Sequence, residues 1–296
     1  MKITLMYNPE AGGSQVPVEN LVRGLERRGA EVFAQNTKEE EYEESLGKAC
    51  DFIIIAGGDG TIEKIAKKII HQQVPVVLLP YGNANNIAES LEVDTALDSI
   101  VKSWEEKNFR ALSIGSVEIR DESFKFLESV GWGLFAQVLV EIKASKSKGE
   151  TTSDDKVDKV QYGLEKLSEA VRDIQPSYYQ ILLDGVDYSG FYLWVEVMNT
   201  QSVGPLLQLA PQARHGDEYL DVVLIRDGER RKLEYFLTVQ KGENPTNEFS
   251  PIQAKKIKIR SNQPLHIDDE ILQLEDSSDP WAEVELIPRY FRVLNA

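Results

Sequence analysis

The segment from Gly57 to Thr61 reads Gly-Gly-Asp-Gly-Thr and directly follows the apolar run Phe52–Ala56. Glycines let the chain turn tightly and let a ligand approach the main chain. Apolar residues at helical spacing follow, so the loop should lead into a helix whose first N–H groups favour an anion such as phosphate. Thr61 is the predicted N-cap of that helix. A turn that binds no ligand does not require three glycines and an acidic residue, so this composition favours a ligand-binding loop.

Asp59 adds a constraint to this loop. Phosphates would repel its carboxylate unless the carboxylate held a cation or a ligand hydroxyl, and Mg²⁺ is the usual cation in such sites. Two common phosphate motifs are excluded. The chain has no G-x-x-x-x-G-K-[ST] segment, and no third glycine stands where G-x-G-x-x-G requires one.

Two more loops rich in glycine and asparagine follow apolar runs. Residues 8–13 come after Ile3–Tyr7, and residues 80–86 come after Val74–Leu79. The carboxyl ends of parallel strands lie at one edge of a sheet, where open α/β sheets bind their ligands. The three loops together predict a nucleotide cleft.

The first ~110 residues alternate apolar runs with helical patterns, which predicts a doubly wound α/β layer. The predicted strands are Ile3–Tyr7, Glu31–Ala34, Phe52–Ala56 and Val74–Leu79, and the predicted helices cover about 17–29, 40–49, 61–71 and 94–106. Several runs are apolar on both faces, as expected of parallel strands that helices cover.

From residue 111 the pattern changes to strands separated by turn signals, which predicts an antiparallel β-sandwich with a few helices. The predicted strands are Leu112–Ile119, Phe124–Val130, Tyr178–Leu183, Phe191–Val197, Leu220–Ile225, Ile257–Arg260, Ile271–Leu274 and Val284–Ile287. The polar stretch 146–158 is a predicted mobile insert. An amphipathic helix is expected over Val160–Val171.

Composition excludes several classes of protein. The chain has 296 residues, with 33 Lys and Arg against 49 Asp and Glu, a net charge of −16. This acidity counts against binding to nucleic acid. A single cysteine, Cys50, forbids an intrachain disulfide and favours a reducing compartment. No apolar run reaches the ~20 residues of a membrane span, so we expect a cytoplasmic protein.

In order and spacing, the motifs resemble the diacylglycerol kinase catalytic-domain family, which includes the soluble bacterial lipid kinases and the sphingosine and ceramide kinases. The matching segments are Asn8-Pro9-Glu10-Ala11-Gly12, Gly57 to Thr61, Pro80 to Asn86, Ala210-Pro211-Gln212-Ala213 with Asp217 to Asp221, and Asp268-Asp269-Glu270. The resemblance implies an α/β nucleotide-binding domain and a β-sandwich domain with the active site between them. It also implies that a tail at about 288–296 returns to the first domain, over 1–110, which leaves 111–287 as the sandwich.

The resemblance also implies roles for individual residues. Glu270 would be the catalytic base that accepts the proton of the acceptor hydroxyl. The nucleotide would lie on Asn8, Pro9, Glu10, Ala11, Gly12, Thr37, Gly57, Gly58, Asp59, Gly60, Thr61, Ile62, Glu63 and Asn83. An additional Mg²⁺ would take the Asp217 carboxylate and the main-chain oxygens of Arg214 and Tyr219. The implied activity is transfer of the ATP γ-phosphate to a lipid hydroxyl.

Four residues depart from the family pattern. Asn83 replaces a threonine, Asn86 replaces an aspartate, and Glu218 and Asp269 each replace a glycine. If those glycine positions require positive φ, glutamate would be strained there more than aspartate. The family's Asp-Gly-Glu tripeptide does occur, at residues 227–229, but it follows a predicted strand and precedes a basic segment, so we interpret it as a surface turn.

Two alternatives stay open at this point. The acceptor could be soluble, since NAD kinases and phosphofructokinases also use Gly-Gly-Asp-Gly-Thr, or the chain could bind nucleotide with impaired catalysis. A lipid acceptor would be met at a membrane surface, with the protein peripheral there. The basic clusters at 143–148, 226–232 and 255–260 could face anionic lipid, although solvated surface is the simpler interpretation. The sequence leaves a homodimer open.

Overall fold

The structure is a computed structural model that describes residues 1–13, 16–69, 74–147, 156–214, 216–239, 249–272 and 280–294. The chain divides into two compact units. The first comprises Met1–Ser113 with Pro288–Ala296, and the second comprises Ile114–Ile287. Tail residue Val293 pairs in parallel with Val76 inside the first unit.

The first unit is built on a parallel sheet of the strands β1 (Lys2–Tyr7), β2 (Glu31–Asn36), β3 (Phe52–Gly57) and β4 (Val76–Pro80). Their order in the sheet is β4-β3-β1-β2. Every residue of β3 is buried, because the strand is central and both of its faces are covered. The predicted doubly wound α/β class is therefore confirmed.

Helices join these strands and cover the sheet. They are α1 (Val18–Glu26), α2 (Tyr42–Leu46), α3 (Asp59–Ala66), α4 (Asn86–Ser90) and α5 (Leu97–Glu105), and a single 3-10 turn covers Ala11–Gly13. In α3 the side chains of Ile62 and Ile65 are fully buried, as their helical spacing predicts. The strand β5 (Phe109–Ile119) continues from this unit into the second.

The second unit contains two groups of antiparallel strands, and the predicted β-sandwich is confirmed. The strands are β6 (Glu122–Phe126), β7 (Ser129–Gly133), β8 (Ser177–Leu183), β9 (Val186–Asp187), β10 (Gly190–Tyr192), β11 (Trp194–Met198), β12 (Leu220–Ile225), β13 (Ile252–Ala254), β14 (Ile257–Arg260), β15 (Leu265–Ile267), β16 (Glu270–Leu272) and β17 (Trp281–Leu294). Strand β17 continues into the first unit from Pro288 onward. One sheet runs β13-β12-β11-β7-β15-β16. Its strand β11 sends Val195 and Val197 into the core shared with β8, β14 and β17.

Helices cover the other face of that sheet. They are α6 (Leu134–Ser147), α7 (Lys156–Asp173) and α8 (Arg230–Val239). On this face Trp194 and Met198 of β11 join a second core that includes Phe135 of α6 and Leu167 of α7. Both faces of β11 are therefore buried, which explains why its apolar alternation is weak in the sequence.

Two predicted strands are wrong as single elements. The predicted Phe124–Val130 splits into β6 and β7, and the predicted Phe191–Val197 splits at Leu193, where the chain leaves β8 and joins β7 and β12. Residues 227–229 form a 3-10 turn, as the surface-turn interpretation expects. Most of the polar insert at 146–158 lies outside the described residues. Within the described part of the chain, no helix has the length and apolar character needed to span a bilayer.

Candidate nucleotide-binding site

Strand order places the candidate site at the carboxyl ends of β1 and β3. The chain runs from β1 to β2 on one side, then crosses back to β3 on the other side of β1. Connections that leave in opposite directions open a crevice at that point, where doubly wound sheets bind ligands. The loops after β1 and β3 border this crevice.

The glycines of two loops allow a very close approach of main chains. A Cβ atom added to Gly82 would lie 2.4 Å from the Cα of Gly58, and one added to Gly58 would lie 2.7 Å from the Cα of Gly82. No other residue type fits this back-to-back contact without moving one loop. A Cβ on Gly57 would also meet the Thr61 side chain at 2.5 Å.

Helix α3 begins one turn earlier than the sequence predicts. Its N-cap is Gly58, which has no side chain to bond the first-turn amides, so the prediction of Thr61 as N-cap is wrong. The Thr61 hydroxyl instead accepts a hydrogen bond from Asn8 Nδ2 at 3.3 Å and so links the β1 loop to the helix. The helix terminus therefore presents N–H groups and the positive end of its dipole toward the loops.

The loop after β1 is ordered by its own asparagine. The Asn8 side-chain oxygen accepts the Glu10 N–H at 3.1 Å, and the Asn8 N–H donates to the Ala56 carbonyl at 3.0 Å. Gly12 lies in the left-handed region at φ 61°, which favours glycine. This geometry turns the backbone of residues 8–12 along the crevice.

Two lysines add positive charge to the crevice, and the sequence analysis missed both. The Lys64 ammonium donates to the Thr37 carbonyl at 2.7 Å and lies 3.9 Å from the centre of the Tyr42 ring. Lys38 lies 3.6 Å from the Glu10 carboxylate, and both side chains are mostly exposed. The signal for Lys64 was its position three residues after Thr61, which puts both on one helix face.

These groups surround a cavity of about 340 Å³. The cavity lining consists of Asn8, Glu10, Ala11, Gly12, Thr37, Lys38, Gly58, Gly60, Thr61, Lys64 and Gly82. Eight of the residues predicted to bind nucleotide are in that set. Pro9, Gly57, Asp59, Ile62, Glu63 and Asn83 are not.

Residues outside the lining have other surroundings. The side chain of Ile62 is fully buried in the core, and Glu63 is 7% exposed and lies 3.9 Å from Lys67. The Asp59 carboxylate accepts the Asn86 N–H at 2.9 Å and the Ile87 N–H at 3.1 Å, and so binds the first turn of α4. Its predicted contact with a cation or ligand hydroxyl stays a prediction.

Asn83 carries an unsatisfied group. Among the residues that the structure describes, none donates a hydrogen bond to its buried Oδ1. Leaving a buried amide oxygen unpaired costs free energy, so a bound ligand with a donor would be favoured at this position. This is the observation at Asn83 that fits a nucleotide.

The predicted base Glu270 lies in the second unit, at the start of β16. It pairs with Ile267 across a two-residue turn, and its side chain is exposed. Of the turn residues, Asp268 has a positive φ of 51°, a conformation that aspartate tolerates. Neither Asp269 nor Glu218 has positive φ. The replacement of glycine at those two positions therefore strains neither backbone.

The predicted additional cation site lies in the loop before β12. The Asp217 carboxylate accepts the Tyr219 N–H at 3.0 Å, and Arg214 is exposed. Burial, and then the charge of Asp217, raises the pKa of Asp221 to about 6. Within the described residues, no group of three or more His, Cys, Asp or Glu side chains is arranged to hold a metal ion. One carboxylate and two carbonyl oxygens nevertheless suit a hard cation such as Mg²⁺.

Comparisons with known proteins match both units. Residues 2–117 match the family described as "Diacylglycerol kinase catalytic domain", and residues 137–295 match the "YegS C-terminal NAD kinase beta sandwich-like domain". The second match alone covers more than half of the chain, and the two matches together cover most of it. The chain belongs to the diacylglycerol kinase catalytic-domain family.

Individual relatives agree with this family. A diacylglycerol kinase of Mycobacterium tuberculosis is 24% identical over 273 residues, covering 87% of this chain and 84% of its own. A diacylglycerol kinase structure from Bacillus anthracis shares the fold with a TM-score of 0.69 at 18% identity, covering 100% of this chain and 97% of its own. An NAD kinase of Archaeoglobus fulgidus, solved with ATP, has a TM-score of 0.52 at 14% identity, with 99% and 93% covered.

Proposed function

We propose that this member of the diacylglycerol kinase catalytic-domain family is an ATP-dependent lipid kinase. It transfers the γ-phosphate of ATP to a lipid hydroxyl with the help of Mg²⁺. The observation that carries the proposal is the cavity at the carboxyl ends of β1 and β3, where main-chain amides, a helix N-terminus and a lysine surround space for phosphates. Membership of a kinase family supports ATP as the phosphate donor.

The nucleotide phosphates would lie on the main chain of residues 8–12 and 57–61. The close contact of Gly58 with Gly82 keeps side chains away from this surface. Phosphoryl transfer needs mainly positioning and neutralisation of charge, which amides, the α3 dipole and the Lys64 ammonium supply. Thr37 is 3% exposed and accepts the Lys64 hydrogen bond, so it fixes the lysine at the edge of the cavity.

Glu270 is the proposed general base. Its carboxylate would take the proton of the acceptor hydroxyl while that oxygen attacks the γ-phosphorus, and the bond from phosphorus to the ADP oxygen would break. ADP then leaves with the bonding electron pair. The exposure of Glu270 supports this role, because a base must be accessible to its substrate.

Magnesium has two proposed places. It would accompany the ATP phosphates, whose negative charge it neutralises. It would also occupy the Asp217 loop, where the nearby carboxylates of Asp217 and Asp221 repel each other and a cation would relieve that repulsion. The second place would stabilise the loop and takes no part in the transfer step.

The test is a transfer assay with radiolabelled ATP, Mg²⁺ and a panel of lipids, in which product partitions into the organic phase. We expect wild-type protein to label a lipid, and Glu270→Gln to lose about 10²- to 10⁴-fold of that activity, which is the usual contribution of a general base. Glu229→Gln, in the Asp-Gly-Glu tripeptide at residues 227–229, is the matched control and should keep wild-type activity.

Three outcomes would contradict parts of the proposal. Label that stays in the aqueous phase would indicate a soluble acceptor, a possibility that the likeness to an NAD kinase keeps open. Bound ATP without any labelled product would indicate a nucleotide-binding member with impaired catalysis. Loss of activity in Glu229→Gln, with retention in Glu270→Gln, would overturn the assignment of the base.

A further inference from the structure

A buried histidine and glutamate lie behind the turn that carries Glu270. His266 on β15 and Glu196 on β11 are both fully buried, and His266 Nε2 lies 3.1 Å from the Glu196 carboxylate. Ionisable side chains this deep in a core are rare unless they have a partner. Neither residue has a role in the proposed transfer step.

Strand register brings the two side chains together. Glu196 pairs with Gly131 of β7, and Gly131 pairs with His266, so the three form one row across the sheet. A Cβ atom on Gly131 would lie 2.1 Å from Glu196 Oε2 and 2.6 Å from His266 Nε2. Because Gly131 has no side chain, the side chains of Glu196 and His266, on the strands at either side of β7, can meet above it.

Hydrogen bonds fix the protonation of the pair. His266 Nδ1 lies 2.6 Å from the Asp268 carbonyl oxygen, which can only accept, and Nε2 faces the Glu196 carboxylate. An ionised Glu196 carboxylate can only accept as well, so both ring nitrogens then donate and the ring is an imidazolium. Trp194 Nε1 donates to Glu196 Oε2 at 2.7 Å and holds the carboxylate in place.

The groups around the ring agree with this charge. Burial alone lowers the pKa of His266, but the Glu196 charge, its hydrogen bond and the Asp268 carbonyl raise it by more, and Asp269 adds to the rise. Two further neighbours of the ring are Phe135 of α6, 4.8 Å between ring centres, and Gly131 of β7, and neither titrates. The ion pair stabilises the fold fully below the ordinary histidine pKa and is lost as pH rises through the raised value.

The same turn is held from its other side. The Asp268 side chain is 1% exposed, and its carboxylate accepts the N–H groups of Leu127 at 3.1 Å, Glu128 at 2.8 Å and Ser129 at 3.3 Å. The carbonyl of Asp268 bonds to His266, and Glu270 follows two residues later. Both polar ends of Asp268 are therefore tied to the sheet, which limits the positions open to Glu270.

We propose that His266 and Glu196 are positioning residues, whose buried ion pair holds the Asp268 carbonyl and thereby sets the position of the Glu270 carboxylate. This inference rests on the proposed role of Glu270 as base. The Glu270 carboxylate must be placed accurately, because a misplacement of about 1 Å in a reacting group can lower the rate about 100-fold.

The kinetic test compares two substitutions of the same histidine. His266→Gln places its amide near Nε2 and removes the donor to Asp268, so kcat should fall about 10- to 100-fold while the KM for ATP stays unchanged. His266→Asn keeps an N–H near Nδ1 and should retain more of kcat. Equal kcat in wild type and His266→Gln would overturn the proposal, even if Glu270→Gln is inactive and the proposed function stands.

A second readout needs no activity. The chain has three histidines, so ¹⁵N-histidine NMR of the wild type resolves His266 as the signal that His266→Asn removes. We expect both ring nitrogens of His266 to be protonated at pH 7, and Glu196→Gln to convert the ring to a neutral form that keeps its Nδ1–H.

Hydrogen exchange at the backbone amides of residues 127–129 should quicken in His266→Gln. A single proton on the wild-type ring, or unchanged exchange, would contradict the proposal even if no transfer activity is found.

Discussion

Lys64 is the cationic side chain of the cavity that is held most firmly. Its ammonium is fixed by the Thr37 carbonyl and the Tyr42 ring, whereas the Lys38 side chain is 56% exposed. A cation that is already oriented binds phosphate more strongly than one that moves freely, because less side-chain entropy opposes the contact. Lys64 should therefore contribute more to ATP binding than Lys38.

We predict that Lys64→Met raises the KM for ATP about 10-fold, since a charge-assisted hydrogen bond contributes about 1.5–3 kcal/mol. Steady-state kinetics at fixed acceptor measure this effect. Lys67→Met is the matched control, because it removes the same charge from the residue that caps the end of the same helix, outside the cavity lining. Equal increases in the KM for ATP in both variants would show that ATP binding depends on net charge and not on the position of Lys64, which would contradict the prediction.

The loops after β3 and β4 form one structural piece. Their glycines touch at Gly58 and Gly82, and the Asp59 carboxylate binds the amides that begin α4. The Gly82 N–H also donates to Asn85 Oδ1 at 2.8 Å, which places Asn85 in the left-handed region at φ 62°. The shape of the cavity therefore depends on contacts between two loops that are far apart in the sequence.

We predict that Gly82→Ala lowers the free energy of unfolding by about 1–3 kcal/mol, the usual cost of overpacking, and weakens ATP binding. The added methyl group would clash with the Gly58 main chain, which cannot rotate away as a side chain can. Urea denaturation and calorimetric titration of ATP measure the two effects. Gly47→Ala, in the same unit, is the control, since its added Cβ meets its nearest atom at 3.4 Å and its φ is −81°. Equal stability of wild type and Gly82→Ala would contradict the prediction.

Net charge decides how the whole molecule meets a membrane. The chain carries −16, and several lysines and arginines of its basic clusters are paired with acids nearby. Lys255 pairs with Glu218, Lys258 with Glu283 at 2.7 Å, and Arg230 with Asp227 at 2.7 Å. Lys148 lies outside the described residues. A basic cluster whose charges are mostly paired with acids attracts anionic lipid weakly, while the net negative charge of the protein is repelled by that lipid.

A lipid acceptor at a membrane surface remains our proposal, and this charge predicts how vesicle binding should behave. Co-sedimentation at low salt should be weaker with vesicles that contain anionic lipid than with zwitterionic vesicles, and added salt should reduce the difference by screening. Stronger binding to anionic vesicles would instead support the basic clusters as a lipid contact. No binding to any vesicle would count against an acceptor met at a bilayer.

The sequence by itself determined the α/β unit and the location of its loops. Short runs that are apolar on both faces predict buried parallel strands, and glycine-rich segments at their ends predict a ligand crevice whatever the rest of the chain does. The loops that carry Asn8, Gly58 and Thr61 were therefore predictable from local pattern. The antiparallel second unit was also predictable, because its strands are separated by clear turn signals.

Only the tertiary structure decided which side chains meet. The break between β6 and β7 arises because Asp268, distant in sequence, takes the amides of Leu127 and Glu128. Helix α6 was missed because Leu134, Phe135, Ala136 and Val138 in its first half are all buried, which removes the helical period. The pairing of His266 with Glu196 depends on the register of three strands, and no local pattern encodes a register between strands that are far apart in the chain.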